Sequence, residues 1–189
     1  MEAIRLDDYF TYADYCKWPD DERWELIDGK AYSMAPAPSL GHQSISIELV
    51  GQLRNFLKGK PCKVFHAPAD VRLNADGADD TVVQPDILVV CDDSKLDGKS
   101  VIGAPDFIIE ILSPSTAKKD LVTKERLYKQ YGVKEYWTID PDHKTVTVRI
   151  LHGNLGYLIH TYDEQETAVP VKALDGCTIN LTDVLEGID

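Results

Sequence analysis

Short apolar runs separated by turn-forming residues dominate the chain from residue 62 onward. Such runs, rich in valine, isoleucine and phenylalanine and bounded by proline, glycine or aspartate, are typical of β-strands. The predicted strands cover residues 62–73, 82–90, 107–112, 135–140, 145–151 and 157–162. The last two form a predicted hairpin that turns near Gly153–Asn154, and an earlier hairpin is predicted to turn at Asp28–Gly29. An edge strand and a short acidic ending are expected between residues 169 and 185.

Three segments have the apolar spacing that predicts helices. The first covers residues 6–18 and the second covers residues 42–57. The third begins after Pro114, with Ser115 or Thr116 as its N-cap, and ends at Gly132. Its apolar stripe is predicted to contain Ala117, Leu121, Leu127, Tyr128 and Tyr131. The order helix, three strands, helix, strand indicates one mixed α/β domain over residues 1–189.

Two carboxylates interrupt the predicted strands, Asp86 and Glu110. Side chains alternate along a strand, so Glu110 shares its face with Ile108 and Leu112, while the opposite face is also apolar. This pattern predicts a central strand that is covered on both sides. A buried carboxylate is costly unless a cation or a proton lies beside it, so the pair suggests a metal site. The alternative is that Asp86 caps a turn and Glu110 pairs with a lysine or an arginine.

A lysine lies on the predicted buried face of the third helix. Lys124 falls near the middle of the apolar stripe, with Asp120 one turn before it. Such a lysine needs an anion, and Glu110 on the preceding strand supplies one. The alternative is a lysine whose stem covers apolar surface while its charge reaches water. The other basic residues fall on the opposite side, which is either a local phosphate-binding surface or a solvated helix face. They are Lys118, Lys119, Arg126 and Lys129.

Composition narrows the class of protein. A chain of 189 residues with 43% hydrophobic content suffices for one domain, and no apolar run approaches membrane-spanning length. The N-terminus lacks the pattern of a secretory signal. The four cysteines are scattered without a Cys-x-x-Cys pair, so we expect neither a zinc site nor a disulfide framework, and a cytoplasmic location. A net charge of -12 argues against strong non-specific binding of nucleic acid.

Several segments together resemble a known family. They are Trp24-Glu25-Leu26-Ile27-Asp28-Gly29, Gln84-Pro85-Asp86, residues 109–116, the series Asp120, Lys124 and Tyr128, and residues 133–141. This set is similar to the Uma-type nucleases, a bacterial family with the restriction-endonuclease-like fold and its PD-(D/E)-x-K motif. The similarity runs from about residue 9 to about residue 185. It implies an α/β fold in which helices cover both faces of a central mixed β-sheet.

One position departs from the motif. Leu112 stands where the broader nuclease motif has its lysine, and a leucine cannot bind phosphate. In the Uma-type family the lysine lies on the following helix, which is where the helical periodicity independently places Lys124. The resemblance therefore implies that Asp86, Glu110 and Lys124 are the catalytic set.

The implied activity is an endonuclease that hydrolyses phosphodiester bonds with Mg²⁺, or alternatively Mn²⁺, and acts on DNA rather than RNA. Asp86, Glu110, the Ile111 carbonyl and Glu25 are the expected metal ligands. Lys124 would orient or deprotonate the attacking water, or neutralise the phosphate. For Glu25 the alternative is an exposed glutamate at the start of a strand.

Other residues are candidates for contacting the substrate. His42 and Gln43 open the second helix, whose N-terminus suits anions, although a histidine there is often only a capping or surface residue. Asp120, Lys118 and Lys129 are further candidates. The remaining histidines lack a His-x-x-x-His pattern, which disfavours zinc chemistry. Nucleases of this fold often act as homodimers, and membrane binding is not expected. The competing function is a non-catalytic protein of the same fold that binds nucleic acid or a protein partner.

Overall fold

The computed structural model describes residues 8–19, 22–34, 38–114 and 117–186. The strands are β1 (Trp24–Ile27), β2 (Lys30–Ser33), β3 (Lys63–His66), β4 (Asp70–Arg72), β5 (Val82–Val83), β6 (Ile87–Val90), β7 (Ser100–Ile102), β8 (Phe107–Ile111), β9 (Glu135–Asp140), β10 (Thr145–Leu151), β11 (Tyr157–Tyr162), β12 (Ala168–Val171) and β13 (Cys177–Asn180). The α-helices are α1 (Tyr12–Tyr15), α2 (Leu40–Leu57), α3 (Glu125–Tyr131) and α4 (Leu181–Leu185). Short 3₁₀ turns occur at Asp93–Lys95 and Gly153–Leu155.

A mixed sheet of six strands forms the centre of the molecule, in the order β11-β10-β9-β8-β6-β3. Strands β8 and β9 are parallel, and the other neighbours are antiparallel. A second sheet has the order β2-β1-β5-β4-β7, and β12 pairs with β13 alone. Strands β5 and β6 belong to different sheets although only three residues separate them, so this short link joins the two sheets.

Helices pack on both faces of the central sheet. Leu49 and Leu53 of α2 pack with the side of β8 that carries Phe107 and Ile109. Leu127 and Tyr128 of α3 pack on the opposite side, which carries Ile108. The alternation predicted for 107–112 is therefore confirmed, because apolar side chains bury both faces of a central strand. Across the described ranges, no helix has the length and apolar character needed to cross a membrane.

Several predicted elements have different bounds. Residues 62–73 form two strands in different sheets, and residues 82–90 also form two, because proline at position 85 cannot donate a ladder hydrogen bond. The first helix is only α1, and β7 was not predicted. The C-terminal region contains the β12–β13 hairpin and α4 rather than one edge strand. Both predicted hairpins are present, with Asp28 and Gly29 at φ values of 48° and 75° in the first turn.

The third helix begins irregularly. Residues Lys119–Lys124 form π-helical turns, with the Glu125 amide donating to the Asp120 carbonyl, before α3 continues the helix. A π-turn places more residues in each turn than an α-helix does. The apolar stripe was predicted from regular α-helical spacing, so the side chains in this segment point in other directions than predicted. Leu121, predicted to be in the stripe, is 38% exposed as a result. The predicted N-caps, Ser115 and Thr116, lie outside the described residues.

The expectation that no cysteines are bridged is wrong for one pair. Cys62 and Cys91 form a disulfide, with their Cα atoms 3.9 Å apart. Lys63 and Val90 are partners in the antiparallel β3–β6 ladder, so the residues that flank them also face each other. Sequence spacing did not reveal this pair because it depends on strand register. Cys16 and Cys177 are free.

Candidate active site

Strand pairing brings Asp86 and Glu110 together. Ile87 is paired with Ile109 in the antiparallel β6–β8 ladder, so Asp86 and Glu110 are the next opposed pair. The Asp86 amide donates to Glu110 Oε2 at 3.4 Å, and the Ile111 amide donates to Asp86 Oδ2 at 2.8 Å. Opposed residues on neighbouring strands carry their side chains on the same face. The two acids therefore line one wall of the site.

Lys124 lies at the centre of a cluster of carboxylates. Its Nζ atom is 2.8 Å from Glu110 Oε1, 3.0 Å from Glu25 Oε1 and 3.5 Å from Asp120 Oδ1. The Lys124 side chain is only 5% exposed, so its charge does not reach bulk water, and the alternative of an amphipathic surface lysine is wrong. The Tyr128 hydroxyl donates to Glu110 Oε1 at 2.7 Å and fixes that carboxylate from a second side.

Glu25 anchors the second sheet to this cluster. Its side chain is 1% exposed, so the alternative of an exposed glutamate is wrong. Glu25 Oε1 accepts a hydrogen bond of 3.0 Å from the Gln84 amide, and Glu25 Oε2 forms an ion pair with Lys119. Lys119 was predicted on the solvated side of the helix, but its side chain is 25% exposed and lies at the site. The π-turns that displaced Leu121 also account for this error.

The N-terminus of α2 contributes His42. The Ser39 side chain accepts a hydrogen bond from the His42 amide and caps the helix. The His42 Nε2 atom lies 3.2 Å from Asp86 Oδ2, whereas Nδ1 is buried with no hydrogen-bond partner among the described residues. Gln43, next to it, donates to the Pro38 carbonyl at 3.4 Å. Helix α2 and strand β8 thus both contact the Asp86 carboxylate, through the same oxygen, Oδ2.

Burial and charge together set the protonation of these groups. Burial, with smaller contributions from Asp120, Asp86 and Glu25, raises the pKa of Glu110 to about 8, although Lys124 opposes the change. Burial also acts to raise the pKa of Glu25, but Lys124 and Lys119 outweigh it and lower that pKa. For Lys124, burial opposes the charged form, yet the surrounding carboxylates raise its pKa well above the ordinary value.

The pKa of His42 is also raised by a neighbouring carboxylate, that of Asp86. Burial disfavours the charged imidazolium, but the hydrogen bond and the charge of Asp86 outweigh burial and raise the pKa of His42. The raised pKa means that the contact with Asp86 stabilises the charged imidazolium form of His42.

These residues line an open cleft of about 860 Å³. The lining includes Glu25, His42, Gln43, Asp86, Glu110, Ile111, Lys119, Asp120 and Lys124. Lys118 and Lys129, the predicted substrate contacts, are exposed and are not part of this lining. Lys129 instead lies close to Gly156, at the β10–β11 turn. Both are exposed, as the helical periodicity predicted, whereas Lys119, predicted on the same side of the helix, lines the cleft.

The resemblance implies a divalent metal, and the donors fit one in part. Asp86 and Glu110 supply two carboxylates on one wall, and hard cations prefer oxygen ligands. A bound cation would also relieve the crowding of negative charge around Glu110. Glu25 does not fit the predicted role of ligand, because both of its oxygens face lysines. No group of three or more His, Cys, Asp or Glu side chains suited to a metal occurs within the described ranges, so the Ile111 carbonyl stays the predicted third donor.

Comparison with known proteins places the chain in a family. The sequence model of the Uma2 family, described as "Putative restriction endonuclease", matches residues 12–182. The chain belongs to the Uma2 family. An uncharacterized protein of Synechocystis sp. is 31% identical over 117 residues, which are 61% of this chain and 60% of that protein. The predicted family is therefore confirmed.

The fold is also that of a solved structure. The crystal structure of "a putative nuclease belonging to DUF820" from Anabaena variabilis matches with a TM-score of 0.75 and 24% sequence identity. The match covers 95% of this chain and 99% of that one. The predicted fold class, a central mixed sheet with helices on both faces, is thus confirmed for this Uma2 protein.

Proposed function

We propose that this Uma2 protein is a Mg²⁺-dependent endonuclease that hydrolyses phosphodiester bonds in DNA. The observation that carries the proposal is the convergence of Asp86 and Glu110 in one cleft, with the buried Lys124 ammonium 2.8 Å from Glu110. Burying charged groups away from water is unfavourable, and buried groups with shifted pKa values are concentrated at functional sites. Membership of a family described as "Putative restriction endonuclease" supports the same reaction class.

Each residue has a role that follows from its contacts. Asp86, Glu110 and the Ile111 carbonyl would hold the metal, which when bound supplies a Lewis acid and activates water. Lys124 stays protonated among its carboxylates, so it acts as a positioning charge and not as the base that removes a proton from water. His42 orients the Asp86 carboxylate through its hydrogen bond. Mn²⁺, which also accepts carboxylate and carbonyl oxygens, is a suitable substitute.

A non-catalytic role is the second candidate, and the charge of the chain favours it. A net charge of -12 opposes binding to a polyanion over most of the surface. A protein of this fold that binds a partner would keep the buried cluster of Lys124 for stability alone. Calorimetric titration with Mn²⁺ separates the two functions, because only the nuclease requires metal binding that is lost in Asp86→Asn.

Incubation with a panel of labelled oligonucleotides tests the proposed activity. Single-stranded, duplex and branched DNA, with matching RNA, are incubated with Mg²⁺, with Mn²⁺ and with chelator. We expect cleavage of DNA in both metals and none in chelator. An absence of cleavage for every substrate, together with an absence of Mn²⁺ binding, would contradict the proposal and favour the non-catalytic role.

A further inference from the structure

The two lysines of the site differ in what they can contact. A lysine ammonium has three N–H donors. Lys124 has three carboxylates within 3.5 Å and a side chain that is 5% exposed, so its donors are matched in number by the protein. Lys119 pairs with Glu25 and keeps 25% of its side chain exposed toward the cleft. Of these two cations, Lys119 is the one positioned to meet a phosphate that enters from solvent.

An exposed aromatic ring lies beside this lysine. Tyr32 on β2 is the cross-strand partner of Glu25 on β1, so both side chains lie on the same face of the hairpin. The Tyr32 side chain is 44% exposed, and Lys119 Nζ lies 5.5 Å from the centre of its ring. Arg23, at the start of the same hairpin, lines the cleft and donates to Gln84 Oε1 at 2.8 Å. The hairpin therefore presents one accessible ring next to one cation, Lys119.

Alternating cations and exposed rings are the means by which proteins hold single-stranded nucleic acid, with cations on the backbone and bases stacked on aromatic faces. A base can stack on a side chain only when it has left the duplex. We propose that the β1–β2 side of the cleft binds one unpaired nucleotide of a single-stranded substrate, with Lys119 on its phosphate and Tyr32 against its base. This inference rests on the proposed function and specifies its substrate class.

Size and charge agree with an unpaired strand. A cleft of about 860 Å³ lies within the range of pockets for small ligands, roughly 300–1,000 Å³, and so suits a few nucleotides. Duplex DNA carries about twice the charge of a single strand per unit length. A chain with a net charge of -12 therefore repels a duplex more strongly than a single strand.

Binding measured without cleavage tests the inference. Fluorescence anisotropy of a labelled single-stranded DNA oligonucleotide is followed in Ca²⁺, alongside the same oligonucleotide with abasic positions and a duplex competitor. We expect Tyr32→Ala to weaken binding of the normal strand by roughly 5- to 150-fold, as expected for the loss of one stacked base. Tyr32→Phe, which keeps the ring, should bind as the wild type does. On the abasic strand, Tyr32→Ala and the wild type should bind equally.

The proposed phosphate contact of Lys119 is tested by the salt dependence of binding. Lys119→Gln should lower the slope of log affinity against log salt by about 0.7, the value for one phosphate contact on a single strand. Lys118→Gln, at an exposed neighbouring position outside the cleft, is the matched control and should keep the wild-type slope. If Lys119→Gln does not fold, the Tyr32 variants decide the question alone.

Three results would overturn the inference. The first is that Tyr32→Ala binds the normal oligonucleotide as tightly as the wild type does, just as on the abasic one. The second is an unchanged salt slope in folded Lys119→Gln, and the third is a duplex that competes as well as the single strand. If the wild type cleaves DNA but these results hold, only the subsite is wrong. If the wild type neither binds nor cleaves any nucleic acid, the proposed function falls with it.

Discussion

Lys124 determines the charge balance of the candidate site. Glu25, Glu110 and Asp120 come from three different elements, and the ammonium of Lys124 is the cation that all three share. Asp86, Glu110 and Lys124 could be found in the sequence because charged side chains inside apolar patterns stand out. Lys119 could not, because a helical wheel assumes α-helical turns and this segment is π-helical.

Replacing Lys124 should destabilise the fold as well as the activity. In Lys124→Met the three carboxylates lose their shared cation, and breaking a buried pair costs about 3–5 kcal/mol. We expect a loss of that size in the free energy of unfolding, measured by urea titration in chelator. Lys118→Met, at an exposed position, should change the same quantity by no more than about 0.5 kcal/mol. Wild-type stability of Lys124→Met would show that Lys124 does not stabilise the carboxylate cluster.

The raised pKa of Glu110 predicts a dependence of stability on pH. Folding favours the protonated form of Glu110, so its contribution is complete below the ordinary pKa of 4.5 and is lost as the pH rises through about 8. In chelator, the free energy of unfolding of the wild type should therefore fall between about pH 5 and pH 9, relative to Glu110→Gln, with a limiting slope of about 1.4 kcal/mol per pH unit. Urea titrations at several pH values measure this difference.

A matched glutamate provides the control for that experiment. Glu164 is exposed, so Glu164→Gln should reproduce the wild-type profile. Parallel profiles for the wild type and Glu110→Gln over the whole range would mean that Glu110 titrates normally, which would contradict the crowded, buried carboxylate on which the metal argument depends.

At the scale of elements, the three-residue break between β5 and β6 brings the two sheets together at the site. The Gln84-Pro85-Asp86 segment ends β5 in one sheet and starts β6 in the other, which places the Gln84 amide on Glu25 and Asp86 opposite Glu110. The sequence predicted a single strand over residues 82–90. It did not reveal the split into two sheets or the disulfide, because both depend on which strands pair, and strand order is not encoded in the periodicity of any one segment.

The disulfide should contribute to stability. Cys62 and Cys91 are 29 residues apart, and closing a loop of that length stabilises a fold by roughly 3–4 kcal/mol. The double variant Cys62→Ser/Cys91→Ser should lose about that much free energy of unfolding, measured by urea titration without reductant. Cys16→Ser, at an exposed free cysteine, should have no effect. Titration of four free thiols in the unfolded, unreduced wild type would contradict the pairing.

The whole molecule combines an acidic surface with an inner cluster of paired charges. A net charge of -12 restricts nucleic-acid binding to places where cations reach the surface, and the cleft offers Lys119 and Arg23. The family and the fold could be predicted from sequence because the quoted segments extend over most of the chain. The wall of the cleft formed by the β1–β2 hairpin could not, because it arises only when two sheets meet.

Metal-dependent cleavage by the wild type and by Asp86→Asn tests the central claim most directly. Asparagine keeps the oxygen that accepts the Ile111 amide, so the variant should fold while losing the negative charge that would bind metal. With a labelled single-stranded DNA, we predict cleavage by the wild type that saturates with Mg²⁺ or Mn²⁺, and a rate at least about 10²-fold lower in Asp86→Asn. Equal rates for the folded variant and the wild type, or cleavage that persists in chelator, would contradict the account.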